Sequence, residues 1–326
     1  MAGLYSAGKP LEQTTEDEEK GDAETMHDGI KAKLRGINAI NVTPFDGQLG
    51  IDWTSLQGNI RYLLDQGIQA IYPCGNTGEF YALSVEEAKE VTRFVTDTVN
   101  HESLVIAGVG YDANTASELA LHAEKCGADG IMVHQPVHPY LLAQGVVDYY
   151  KQIAAATSLP MVLYIRSEQI THEAIVQAAA IPNVVGIKYA INHPPSFSRA
   201  VQAVEDDIVW ICGTAEMWAP TFYAAGAKGF TSGMVNVDTQ RSFAMLEALK
   251  AGNYERAMEI WREVLPFEQL RESHRNGNNV SVVKEAMYQL GLIATRAVRP
   301  PISTLTSKEC EEVAGMLREW GLLQPV

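Results

Sequence analysis

Residues 161–188 read M-V-L-Y-I-R-S-E-Q-I-T-H-E-A-I-V-Q-A-A-A-I-P-N-V-V-G-I-K. Met161–Ile165 is a short apolar run rich in β-branched and aromatic residues, which predicts a buried strand. Thr171 is a good N-cap for a helix over His172–Ala179, and Pro182-Asn183 break it. Val184–Lys188 is a second apolar run with one lysine at its end. Strand, helix and strand at this spacing form the repeat of a parallel sheet wound with helices.

The same alternation extends in both directions. Strands are predicted at Ile37–Val42, Gln69–Pro73, Leu104–Val109, Gly130–His134, Ile208–Cys212 and Gly229–Thr231. Helices fall between them near Trp53–Asp65, Val85–Val99, Thr115–Lys125, Val146–Ala156, Pro195–Val204 and Glu216–Ala225. Asp52, Ser84 (with Glu87 three residues on) and Thr171 supply N-caps, and Gly67, Gly127 and Gly226 fall at helix ends. Eight such units predict an α/β fold, a (β/α)8 TIM barrel. No G-x-G-x-x-G follows the first strand and no G-x-x-x-x-G-K-[ST] occurs, which argues against a doubly wound nucleotide-binding sheet.

Beyond about residue 238 the strand signals stop, and Arg241–Ala251, Tyr254–Arg275, Val280–Leu290 and Ser307–Trp320 all read as helices. The expected organisation is a barrel over 34–237 and a C-terminal helical bundle over 238–326. Residues 1–33 carry Glu12, Glu16, Asp17, Glu18, Glu19, Asp22, Glu24 and Asp28 with almost no apolar period. They read as an acidic, disordered N-terminal extension.

The 326 residues are 46% hydrophobic, with 40 acidic and 25 basic side chains and a net charge of −15. That balance argues against nucleic acid and anionic membranes as partners. There is no apolar run long enough for a membrane span and no basic-then-apolar leader. Cys74, Cys126, Cys212 and Cys310 lie far apart, without metal-ligand spacing, which predicts reduced thiols and a cytoplasmic protein. His134 and His138 bracket the end of the fourth strand, but no metal is expected there.

Ligand sites in such barrels are built where strands end. Lys188 sits at one such end. Desolvation there would lower its pKa and leave a neutral amine able to condense with a ketone; the plainer alternative is a surface lysine reaching to water. Tyr164 ends the fifth strand, where a phenol can relay a proton, or simply cap a barrel layer. Arg166 falls on the same face and could pair with a carboxylate. In Cys74-Gly75-Asn76-Thr77-Gly78-Glu79, the backbone amides and the Thr77 hydroxyl could cradle a carboxylate, although a plain G-x-x-G turn has the same spacing.

Together these segments resemble the dihydrodipicolinate synthase / N-acetylneuraminate lyase family of Schiff-base aldolases and dehydratases, over most of residues 34–323. The resemblance rests on Asn41-Val42-Thr43-Pro44-Phe45, Gly75-Asn76-Thr77-Gly78-Glu79, Tyr164 and Gly186-Ile187-Lys188. It implies that Lys188 forms the imine, that Tyr164 relays protons, and that Gly75, Asn76 and Thr77 hold the carboxylate of an α-keto acid. It also implies a homotetramer built as a dimer of dimers, with no metal or organic cofactor. Asn76, His138 and Gln169 depart from the synthase branch.

Tyr164-Ile165-Arg166, Thr214-Ala215-Glu216, Ser232 and Val298-Arg299-Pro300-Pro301 look more like the sugar-acid branch typified by 5-dehydro-4-deoxyglucarate dehydratase. In that branch Arg166 and Ser232 would contact the far end of a keto-sugar acid. Ile165, Asn76 and Gly233 (in place of a second serine) depart from it. The alternatives are a pyruvate-dependent aldolase, dihydrodipicolinate synthase itself, or a ligand-sensing barrel without chemistry.

Overall fold

Each apolar run forms a strand buried along its whole length, because helices cover one face and the barrel interior takes the other. In the computed structural model, which describes residues 27–204 and 207–324, these strands close in chain order into an eight-stranded parallel barrel. They are β1 Ile37–Ala39, β2 Ala70–Ile71, β3 Leu104–Val109, β4 Gly130–Val133, β5 Met161–Ile165, β6 Val184–Tyr189, β7 Val209–Cys212 and β8 Gly229–Ser232. β1 and β2 stop short of the predicted Val42 and Pro73, since the chain beyond them leaves the ladder to build the barrel mouth.

The helices after the strands are α1 Trp53–Asp65, α2 Val85–Val99, α3 Ala113–Lys125, α4 Ala143–Ala154, α5 His172–Ala179, α6 Pro194–Ala203, α7 Ala215–Ala224 and α8 Thr239–Lys250. Their predicted caps form. Asp52 accepts from the Ser55 amide, Ser84 and Glu87 make a capping box, and Thr171 accepts from the Ala174 amide. In β5 the period-2 alternation sends Val162 and Tyr164 into the barrel and Met161, Leu163 and Ile165 toward the helices.

Two predicted boundaries move. α8 follows β8 as the eighth barrel helix, packed beside α7 and β1, so the barrel runs to Lys250 and the appendage starts at Tyr254 rather than 238. At the other end, residues 27–34 are helical, and Ile30 and Leu34, four apart on one face, are buried in the barrel-interior cluster. The predicted extension therefore ends before this helix. Of the disordered extension predicted over 1–33, residues 1–26 lie outside the described residues.

The appendage comprises α9 Tyr254–Asn276, α10 Asn279–Gln289 and α11 Ser307–Glu319. α9 packs along α7 and α8, then leaves helical geometry at Ser273–Arg275, where His274 and Arg275 take left-handed φ of 54° and 59°. This break turns the chain across the barrel mouth toward α10. Among the described residues no helix is long and apolar enough to cross a membrane.

Candidate active site

β5 and β6 are neighbours in register, with Tyr164 opposite Lys188. Both side chains point inward, and Lys188 is 3% and Tyr164 5% exposed. The Lys188 amine lies 4.1 Å from the centroid of the Tyr164 ring. Burial brings its pKa down to about 7, against a small opposing pull from Cys212 and with help from the nearby charges of Arg166 and Arg271. Near pH 7 about half of these amines are therefore uncharged. Burial pushes the Tyr164 phenol up to about 12, so it is a protonated hydroxyl.

The Cys74–Glu79 loop faces this pair. Cys74 and Glu79 adopt left-handed φ of 59° and 57°. The turn fits because Gly108 on β3 has no side chain: a Cβ there would lie 2.1 Å from the Cys74 carbonyl oxygen. Further bonds pin the loop. Thr43 Oγ1 donates to the Gly78 carbonyl at 2.7 Å, and His134 Nε2 donates to the Cys74 carbonyl at 2.9 Å. Burial drives the His134 pKa down to about 3, so the ring is neutral; it stacks on Phe80 at 4.4 Å. His138 is exposed and bonds the Tyr140 backbone, so the two histidines do not converge.

Held this way, the loop turns Asn76 and Thr77 into the cavity. Among the described residues neither the Asn76 nor the Thr77 amide donates to a protein carbonyl, which leaves two N–H groups for an anion. Asn76 Nδ2 donates to the Tyr164 hydroxyl at 3.0 Å, and the buried Asn76 Oδ1 has no partner. Beneath the loop Glu79 pairs with the fully buried Lys284 of α10 and accepts from the Arg299 amide at 3.0 Å. Arg299 in turn bonds Glu87 and the Leu49 and Ala82 carbonyls, tying the Val298–Pro301 segment to the mouth.

The cavity, about 500 Å³, is lined by Asn76, Thr77, Tyr164, Arg166 and Lys188 together. Arg166 stands at its exposed rim, 5.7 Å from the Tyr81 ring. Gly75 lies behind the loop, where a Cβ would meet Ile40 at 2.5 Å.

Ser232, predicted to contact the substrate, is not among the residues that line this cavity. It is fully buried outside the cavity lining, and its hydroxyl accepts from the Val235 amide. Its strand neighbours Thr231 and Gly233 take the inward positions, as alternation requires. Two features have no role legible in the sequence, although Asn236 lies near a predicted strand tip. Asn236 donates to the Ile40 and Gly233 carbonyls, both at 2.8 Å, and fixes the turn after β8. From the appendage, Glu268, Arg271 and Asn279 line the cavity.

Residues 33–320 match the model of the dihydrodipicolinate synthetase family. A protein of Oceanobacillus iheyensis named as a probable 5-dehydro-4-deoxyglucarate dehydratase is 30% identical over 87% of this chain and 94% of its own length. A 4-hydroxy-tetrahydrodipicolinate synthase of Methanosarcina barkeri is 31% identical over 87% of this chain and 97% of its own. Among solved structures, dihydrodipicolinate synthase from Oceanobacillus iheyensis superposes with a TM-score of 0.88 at 46% identity, covering 91% of this chain and all of that one. The chain belongs to the dihydrodipicolinate synthetase family.

Proposed function

We propose that this member of the dihydrodipicolinate synthetase family, a Schiff-base lyase, acts on a keto-sugar acid as a dehydratase of the 5-dehydro-4-deoxyglucarate type. The observation that carries the reading is the buried Lys188 amine with its pKa near 7, against the Tyr164 ring and across a cavity from two unengaged amides. The Asn76 and Thr77 amides and the Thr77 hydroxyl take the α-carboxylate. The neutral amine attacks the neighbouring ketone carbon to give a carbinolamine, whose hydroxyl leaves as water to form a protonated imine. That cation draws electrons from the adjacent carbon, which loses a proton, and the resulting enamine expels the β-hydroxyl as water. Water then hydrolyses the imine and frees Lys188. Tyr164 hands protons on and off the carbinolamine, and Arg166 at the rim meets the distal carboxylate.

Elimination is favoured over aldol chemistry by what surrounds the phenol. Its partner is an amide, Asn76, which donates a hydrogen bond but does not pass a proton as a hydroxyl would. Gln169, where the synthase branch has an arginine, is exposed and bonds the Pro139 carbonyl. The synthase remains the second reading, on the strength of the 46% identical structure that bears that name.

Borohydride trapping with pyruvate and with candidate keto-sugar acids, followed by mass mapping to Lys188, tests imine formation. Product analysis separates loss of water from C–C bond formation. A Lys188→Ala protein with full activity overturns the proposal.

We further propose a homotetramer. Tyr140 and Leu142, 84% and 82% exposed beside the barrel mouth, form an apolar patch that a second copy would cover. Light scattering at the monomer mass would refute it.

A further inference from the structure

We propose that Arg271, delivered by the appendage helix α9 and not by the barrel, completes the carboxylate cradle opposite Lys188, and that Gly233 is the residue that lets it in. A Cβ at Gly233 would lie 2.7 Å from Arg271 Nη2 and 3.1 Å from Thr77 Oγ1. The guanidinium and the threonine hydroxyl therefore flank one point at the loop end of the cavity, beside the free amides of Asn76 and Thr77. Arg271 is itself 3% exposed, yet it lines that cavity.

Its orientation is fixed from behind. Nη1 donates to Glu268 Oε1 at 2.7 Å, while Nε and Nη2 donate to the Asn279 carbonyl and Oδ1, both at 3.3 Å. Three of five N–H groups are thus committed, and two remain for a ligand. A guanidinium held this rigidly loses little side-chain entropy when an anion arrives. Its charge already reaches Lys188, whose amine it helps to keep neutral.

Glu268 does not simply cancel that charge. Burial, with a smaller push from Glu272, raises the Glu268 pKa despite Arg271 at hand.

The ligand class is an α-keto carboxylate held by an ion pair as well as by neutral donors. Gly233 then has a chemical reason: a serine there would occupy the space of the guanidinium. The inference takes the location of the α-carboxylate from the Schiff-base reading above, and its test separates the two.

The full-length protein is trapped with borohydride using pyruvate and its neutral isostere pyruvamide, each variant on its own pH plateau. Wild type should half-saturate at far lower pyruvate than pyruvamide. Arg271→Met should raise the pyruvate value about 10–100-fold, the range for losing a charge-assisted bond, and leave pyruvamide within about twofold. Arg271→Lys should restore part of the loss. Gly233→Ser should reproduce it with Arg271 still present, and Arg271→Met/Glu268→Gln guards against misfolding from an unpaired acid. Pyruvate preference retained in either Arg271→Met or Gly233→Ser overturns the inference. In a Lys188→Ala background, where no imine forms, calorimetry of pyruvate binding must show the same loss on Arg271→Met. If wild type gives no adduct at Lys188, the Schiff-base reading falls while this arm still decides the cradle.

Discussion

Replacing Tyr164 with phenylalanine separates the two tasks assigned to the tyrosine. The ring that lies 4.1 Å from the Lys188 amine stays, and the groups that set the amine's pKa are burial, Cys212, Arg166 and Arg271, not the phenol oxygen. Lowering the lysine from 10.5 to about 7 raises the neutral fraction at pH 7 from about one in 3,000 to about one half (10.5 − 7 = 3.5 decades). That gain should survive in Tyr164→Phe. What goes is the proton donor and acceptor for the carbinolamine, worth about 10²–10⁴-fold in rate. The assay is the rate of borohydride-trapped pyruvate adduct across pH 5–10, by mass spectrometry. The midpoint should stay near 7 while the plateau drops by those two to four decades. Asn76 Nδ2 loses its acceptor, so the variant should also be less stable by about 1 kcal/mol. A midpoint raised above about 8 with an intact plateau would mean that the hydroxyl tunes the amine. No change in either would mean that the proton travels elsewhere.

Lys188→Met should stabilise the protein, because a buried amine whose folded pKa lies below its unfolded one resists folding while both states are protonated. The penalty is complete below about pH 7, up to about 5 kcal/mol, and fades as pH rises toward 10.5; urea titrations at pH 6 and pH 9 should show the gain shrinking. Lys284→Met leaves Glu79 as an unpaired buried charge beneath the carboxylate loop and should cost about 3–5 kcal/mol, largely relieved in Lys284→Met/Glu79→Gln. Denaturant midpoints for both variants check this, and an undiminished single variant would refute the clamp. Gly108→Ala should fail to fold or lose trapping entirely, since its Cβ would meet the backbone oxygen of Cys74 at 2.1 Å and that turn has no room to give; a soluble variant with normal trapping would show that the loop is not held there.

Membership in the family turns on residues that were legible in order along the chain. The Lys188 and Tyr164 strand ends, the Gly75–Glu79 loop and the eightfold alternation all stand where apolar period and turn chemistry put them. Ser232 shows the limit: at the last residue of a strand a one-residue change of facing reverses a side chain, and no local pattern says which of Thr231, Ser232 and Gly233 looks inward. The end of the barrel is hidden in the sequence for a related reason. α8 and the appendage helices have the same amphipathic period, and only the position of α8 beside α7 and β1 assigns it to the ring.

Secondary structure and the eightfold alternation of the barrel follow from short-range rules, in which the period of burial and the residues that break it act within a few positions. The depth of the Lys188 amine, the Glu79–Lys284 pair and the entry of Arg271 past Gly233 join residues 24 to 205 positions apart, or depend on the barrel's closure. Such contacts are set by how α9 and α10 cross the mouth, and packing of whole elements, unlike periodicity, leaves no mark on neighbouring residues.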